Sequence, residues 1–512
     1  MPIRFTNLNE TTSRGTEQLA NSFSALSASK ATGTSDEVLV TQVVGFHLYI
    51  DLFLSEAITT SQTEETAKTL LAAIEEVADI ANASARVADT FLFEVQGLRT
   101  HVFINAPILE ETSFGRLLGF SSYLAKSIDK RVRKIVGEDY RKCCMAAAHG
   151  SAIVISTGKK ADDSLISLGN PANRPAKRLS REDIGDGILA VPIEMVADAR
   201  FVESELSEQS GNKWLHIDVA GKDLRRTLVE SDRLMLEEIA NAQRISDSDE
   251  LVCLSAKSSE VVDTSNATVE KPRVIQAMVF RADLDGFTSK VEEASRRGEA
   301  ALRLVVEELL AILDIPQAFE DYLERKVVRL PWAGDCYTAC FLLDDDESVE
   351  ELRREAVPTA CLLWHDPDGA VNRTRDVHLR RIASRQKWSV GVAVGEAAHG
   401  KLLIANIHTS DRKFLVAAGW AVRHSLEAQN SKGLSENESA VHVADHEAMR
   451  PPYKPVFQAW ENGRGYRKAT AIALKEAADK EVQSLAPTKT APSVASSGMI
   501  HVATRPFADT EK

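Results

Sequence analysis

A chain of 512 residues exceeds one ordinary hydrophobic core, and 44% hydrophobic with 27% charged residues is the composition of soluble globular material, so two or three domains are expected. A formal net charge of −14 with no basic block argues against electrostatic binding to DNA, RNA or anionic lipid, while a small anion could still be held by metal ions or a few local bases. No run approaches the roughly 20 apolar residues of a membrane span; the opening MPIRFTNLNE lacks a signal-peptide core, and six cysteines without a CxxC pair fit a reducing cytoplasm.

Residues 1–38, rich in Ser, Thr and Asn, predict a flexible lead-in. An apolar strand, VTQVVGFHLYIDLFL (Val40 to Leu54), then precedes a helical pattern ending near Ala85. The hairpin FLFEVQGLRTHVFI turns at Gly97, CCMAAAHGSAIV forms a further strand, and LISLGNPANRPAKRL gives strand, Gly169 and helix. A charged helix, DLRRTLVESDRLMLEEIANAQ, and a polar turn-rich stretch make a linker over 216–272.

The order then repeats. VIQAMVFRADLDGFT (Val274 to Thr288) matches the first strand at Val40/Val274, Gln42/Gln276, Phe46/Phe280, Asp51/Asp285 and Phe53/Phe287. VRLPWAGDCYTACF carries the hairpin glycine as Gly334, WSVGVAVGEAAHG the next strand, and LVAAGWAVRHSLEAQ the strand, Gly419 and helix. Four segments in one order at near-constant spacing predict a tandem repeat of one βαβ-containing domain, over 39–215 and 273–457, with a helical and then mobile tail over 458–512.

The second copy poses a physical question, because its first strand ends in Asp283 and Asp285. An unpaired anion is costly inside a sheet, so such acids sit at the mouth of a site or cap the next helix.

RADLDGFTS with WAGDCYTA, VGVAVGEAAHG, and LGNPANRPAKRL of the first copy resemble the motifs of the class III nucleotide cyclases. The resemblance implies an α+β fold of ferredoxin-like βαββαβ cyclase domains, two in tandem forming a pseudo-twofold pair within one chain. It implies an active site between them that holds two divalent ions, Mg2+ or Mn2+, on Asp283, Asp335 and the Leu284 backbone carbonyl. The matching first-copy positions are Tyr49 and Leu98, which cannot replace carboxylates. Conversely, Asn173 and Lys177 stand at the catalytic asparagine and arginine positions, with Arg178 beside them as a further phosphate contact, where the second copy has Arg423 and Glu427. Each copy keeps what the other has lost, which implies one working site and one silent one. Some family members hold phosphates with an arginine where Glu396 stands here, leaving Lys213 and Lys222 as weak substitutes.

The resemblance implies Glu94 and Ile166 as the base-reading positions, with Tyr49 expected to crowd the cleft against a two-ring base. A tyrosine at position 49, the shortened pocket it implies and the tandem form are similar to the pyrimidine cyclases of bacterial Pycsar antiphage defence. That likeness implies conversion of UTP to cyclic UMP in the cytoplasm, with a separate effector sensing the product. Cyclic CMP from CTP, a purine cyclase and a catalytically silent nucleotide sensor stay open. So do plainer roles: Tyr49 as an aromatic plug, Glu94 as a solvated hairpin acid, Asn173 and Asp285 as helix caps, His149 and His399 as turn residues, and Trp332 and Trp420 as packing groups.

Overall fold

The computed structural model describes residues 3–6, 38–59, 63–85, 90–156, 165–179, 183–198, 214–221, 224, 252–253, 264, 266–284, 286–313, 326–331, 334–342, 388–394, 402–409, 413–430, 440–443, 458–459, 467–470 and 476. The N-terminal half is built on β2 (Val38–Leu54), which follows a short parallel partner, β1 (Ile3–Thr6). After it come α1 (Glu64–Ala85), the hairpin β3 (Thr90–Gln96) and β4 (Arg99–Asn105), α2 (Glu111–Val136), β5 (Tyr140–Ser156), β6 (Leu165–Leu168), α3 (Asn170–Leu179), β7 (Ile188–Pro192) and β8 (Trp214–Asp218). The sheet order is β3-β4-β2-β5-β7-β8, with β6 paired to the far end of β5.

The period of two in β2 divides its faces. Phe46, Leu48, Ile50, Leu52 and Leu54 enter the core beneath α1 and α2, while Tyr49 turns to the opposite face, which α3 covers. Helix α1 supplies Ala67, Leu70, Leu71, Ile74, Val77, Ala78 and Ala81 at helical spacing to that core. Gly45 lets β4 approach, since a Cβ there would collide with the Ile104 carbonyl.

The C-terminal half repeats the plan. Its elements are β9 (Val252–Cys253), β10 (Arg273–Ile275), β11 (Ala277–Leu284), α4 (Phe287–Arg297), α5 (Glu299–Leu313), β12 (Val327–Arg329), β13 (Cys336–Leu342), β14 (Trp388–Val394), β15 (Leu402–His408), β16 (Lys413–Ala418), α6 (Trp420–Asn430), β17 (Ala440–Val443), β18 (Gln458–Ala459) and β19 (Arg467–Thr470). One sheet runs β12-β13-β11-β14-β17-β19-β18, its first six strands following the order of the N-terminal path, and a smaller sheet runs β16-β15-β10-β9. In both halves a parallel pairing, β5 with β7 and β14 with β17, follows the crossover through α3 or α6.

The β15–β16 hairpin belongs to both cores. Leu403, Ala405, Ile407, Phe414 and Val416 join the cluster around α1 and α2, whereas Leu402, Ile404 and Ala417 join the one formed with Ile275, Val279 and Ala421.

Several expectations meet a different outcome. The lead-in contains strand β1, held by parallel pairing to β2. The second sheet continues through β19, past residue 457, and Val269, within the expected linker, packs in the main core. His149 lies in β5, not a turn, and bonds the Ala106 carbonyl at 2.7 Å. Asp285, Trp332, Glu396, His399, Lys213, Lys222 and most of the expected linker helix and tail lie outside the described residues. Cys143, Cys144, Cys336 and Cys340 are free thiols, and no described helix is long and apolar enough to cross a membrane.

Candidate active site

The two acids implied as metal ligands sit together at one end of the second sheet. On β11, Asp283 lies opposite Cys336 of β13 and Ser389 of β14, and Asp335 precedes Cys336 in the turn that Gly334 opens at φ 61°. Burial pushes the Cys336 thiol up to about 12; Arg281 opposes this, and the nearby Asp283 and Asp335 carboxylates add to it. Both carboxylates therefore act on one sulfur. Gln429 of α6, itself buried, donates to Asp283 Oδ2 at 3.3 Å. Two carboxylates near a chain carbonyl suit a hard cation that completes its shell with water and phosphate oxygens. Among the described residues no cluster of three or more His, Cys, Asp or Glu side chains forms an all-protein cage.

Helix α3 of the other half faces this end. Asn170, Asn173, Arg174 and Lys177, spaced to share one face, line a cleft of about 270 Å³ with Arg178, Trp214 and Thr288. Asn173 Nδ2 donates to the Thr288 hydroxyl in the first turn of α4, directly after the acid-bearing strand. Gly286, at φ 73°, turns the chain from β11 into that helix. On the other side of the strand end, a Cβ placed on Gly334 would lie 3.9 Å from the Ser167 carbonyl of β6, so the Asp335 hairpin and the entry to α3 are neighbours.

Lys177 is exposed, and Arg178 is not. Only 5% of the Arg178 side chain is accessible, and its guanidinium pairs with Asp183, 3.2 Å from Nη2 to Oδ2, and meets His216 Nε2 at 2.8 Å. The Asp183 carboxyl is held below the usual carboxylate range by that hydrogen bond. As a phosphate contact Arg178 is thus already engaged; its partners lie on a loop and a distant strand, where no helical pattern reveals them.

The three base-reading candidates do not line the cleft. The Tyr49 ring, expected to face it, lies flat on His101 with centroids 4.1 Å apart and planes within 10°, beside Leu179 and Ala176 of α3. Burial, then the nearby Glu94, pushes its phenol well above the ordinary value, with Arg99 opposing. Glu94 is half-buried opposite His101 where the β3–β4 register shifts, and Ile166 is fully buried opposite Ile155. Beside Tyr49, Arg99 clasps Asp51 through Nε at 2.9 Å and Nη2 at 2.5 Å. His47 and His101 meet at 3.1 Å, both buried.

Arg174, Trp214, Thr288 and Gln429 carry no expectation from the sequence. The spacing of Arg174 from Asn170 and Lys177 on one helix was the available signal for the first; Trp214 and Thr288 come from other segments. On the silent side, Arg423 of α6 donates to the Thr59 hydroxyl in the other half and pairs with Glu427 at 2.7 Å.

No protein-family model matches the sequence, and no curated protein matches it. Among solved structures, the chain is similar to a protein described as a class III adenylyl cyclase-like ATP-binding protein from Pseudomonas aeruginosa, at 17% identity and a TM-score of 0.61 over 86% of this chain and 91% of that one. Matches to the guanylyl cyclase Cya2 (16% identity, 34% of this chain and 90% of that one, TM-score 0.26) and the adenylyl cyclase CyaB of P. aeruginosa (15%, 39% and 95%, TM-score 0.27) are limited to smaller parts. The first likeness extends through both halves, and the fold is that of the class III cyclase-like proteins.

Proposed function

We propose that the chain is a nucleotidyl cyclase, a lyase that closes a nucleoside triphosphate to its 3′,5′-cyclic monophosphate with release of pyrophosphate. The carrying observation is the Asn173–Thr288 hydrogen bond, which holds α3 of one half against the strand end bearing Asp283 in the other. In this reading the halves form a pseudo-twofold pair with one working site. Asp283, Asp335 and the Leu284 carbonyl would hold Mg2+ or Mn2+, which when bound lowers the pKa of the ribose hydroxyl and offsets charge on the leaving pyrophosphate. Asn173 orients the ribose, so that its 3′-oxygen lies in line with the α-phosphorus. Exposed Lys177 sets a point charge against the negative charge that grows on the α-phosphate.

For the base we propose UTP, giving cyclic UMP as a cytoplasmic messenger of antiphage defence read by a separate effector, with CTP as the neighbouring choice. Its support is the likeness of the tandem form, and of a tyrosine at position 49, to the Pycsar pyrimidine cyclases. A second reading, nucleotide binding without turnover, is favoured by the description of the similar P. aeruginosa structure as an ATP-binding protein. Incubating the protein with manganese and each of the four ribonucleoside triphosphates, with products resolved by mass, separates them. Cyclic UMP or CMP supports the proposal and cyclic AMP or GMP overturns its base choice. Tight binding without product overturns catalysis.

A further inference from the structure

We propose that Arg174 is a polyphosphate-binding residue of the cleft, presented by the ring of Trp214 and held in reserve by Glu194; this rests on reading the cleft as a nucleotide site. A triphosphate brings several negative charges to a chain of net charge −14, so the site must supply its own cations. Arg178 is engaged by Asp183 and His216, which leaves Lys177 and Arg174 as the cleft-lining bases not locked within the protein interior.

The surroundings of Arg174 fit that role. Its guanidinium carbon stands 5.1 Å from the centre of the Trp214 ring, an arrangement that fixes the plane of the fork and leaves its edge N–H groups to donate outward. One face of the indole is thereby covered, which favours a guanidinium rest over a base-stacking platform. Arg174 Nη1 also meets Glu194 Oε1 at 2.5 Å, and that carboxylate is 57% exposed. An ion pair so open to water contributes little net stability, so a multivalent anion can displace it. The cleft volume, about 270 Å³, falls below the roughly 300 Å³ at which pockets begin to enclose whole drug-sized ligands, and suits the phosphate end of a nucleotide.

The test is calorimetric titration of inorganic tripolyphosphate into the full-length protein in magnesium buffer, paired with steady-state kinetics. Arg174→Ala is expected to weaken tripolyphosphate binding at least tenfold and to raise KM for the triphosphate more than it lowers kcat. Glu194→Gln, which frees the guanidinium without touching the phosphate contacts, is expected to tighten binding severalfold, an effect a merely structural role would not give and one that remains readable if Arg174→Ala fails to fold. Failure of the wild-type protein to bind tripolyphosphate, binding by Arg174→Ala within twofold of wild type, or unchanged or weakened binding by Glu194→Gln overturns the proposal. If both variants shift binding as expected while no triphosphate is turned over, the phosphate role stands and the cyclase reading falls.

Discussion

Asn173 and Thr288 join the two halves: an amide on α3 of the first donates to a hydroxyl in the first turn after the acid-bearing strand of the second. In the proposed reading the same residue both touches the sugar and fixes the spacing of the cleft. Asn173→Ala is expected to lower kcat on the order of 10²-fold, the scale of losing one preorganised polar group at a developing charge. Thr288→Val, which removes only the acceptor, is expected to lower it about tenfold through loss of placement. Rates of cyclic product formation check both, and full activity in Thr288→Val would show the bridge to be idle.

Asp283 and Asp335 sit half-buried at a sheet end, not in the hydrophobic core. Asp283→Asn and Asp335→Asn are each expected to abolish turnover and weaken manganese binding while moving the thermal midpoint by only a few degrees. Manganese titration followed by electron paramagnetic resonance, with a thermal scan on the same sample, distinguishes loss of a ligand from loss of the fold.

Tyr49 is buried against His101 and α3, which makes it first a packing residue. Tyr49→Ala is expected to cost about 3–5 kcal/mol, as other large aromatic truncations do, and Tyr49→Phe much less. Denaturant midpoints measure the cost. Base preference measured on the same variants tests the pyrimidine proposal: relaxation towards purines in Tyr49→Ala would give the ring a selective role as well.

The His47–His101 contact predicts an acid sensitivity. Burial, then the nearby His149, holds the His47 imidazole at about 3; burial, then His47, holds His101 well below its ordinary value. An unfolded histidine titrates near 6.5, so below that pH the unfolded chain takes up protons that the native pair refuses. Their contribution is fully present above about pH 6.5 and is lost as pH falls towards 3. The slope approaches about 1.4 kcal/mol per pH unit for each group. Urea midpoints between pH 7 and 5 should fall steeply in the wild type and less in His101→Phe.

The succession of strands and helices along the chain is legible because alternating apolar strands, turn glycines and the offset between Val40 and Val274 are local signals; the order of strands within each sheet is set by pairing between distant segments. Asp283, Asp335, Asn173 and Lys177 each fall on a motif; the structure places Asn173 and Lys177 along one cleft, and Asp283 and Asp335 at one end of the second sheet. For Tyr49, period two fixes the face, whereas the stack on His101 and the cover of α3, which favour the plug over a ring facing the cleft, depend on side-chain packing between segments. The engagement of Arg178 likewise depends on contacts with no local periodicity, Asp183 in a loop and His216 on β8.

The hairpin of β15 and β16, with one face in each core, works like a dovetail. A protease site engineered between residues 225 and 251 should yield two fragments that elute together on gel filtration, because drawing them apart would expose Leu403, Ile407 and Phe414 to water. Expressed singly, either fragment would bring an unfilled seam to the solvent, so co-translation on one polypeptide doubles as a guarantee of one-to-one assembly.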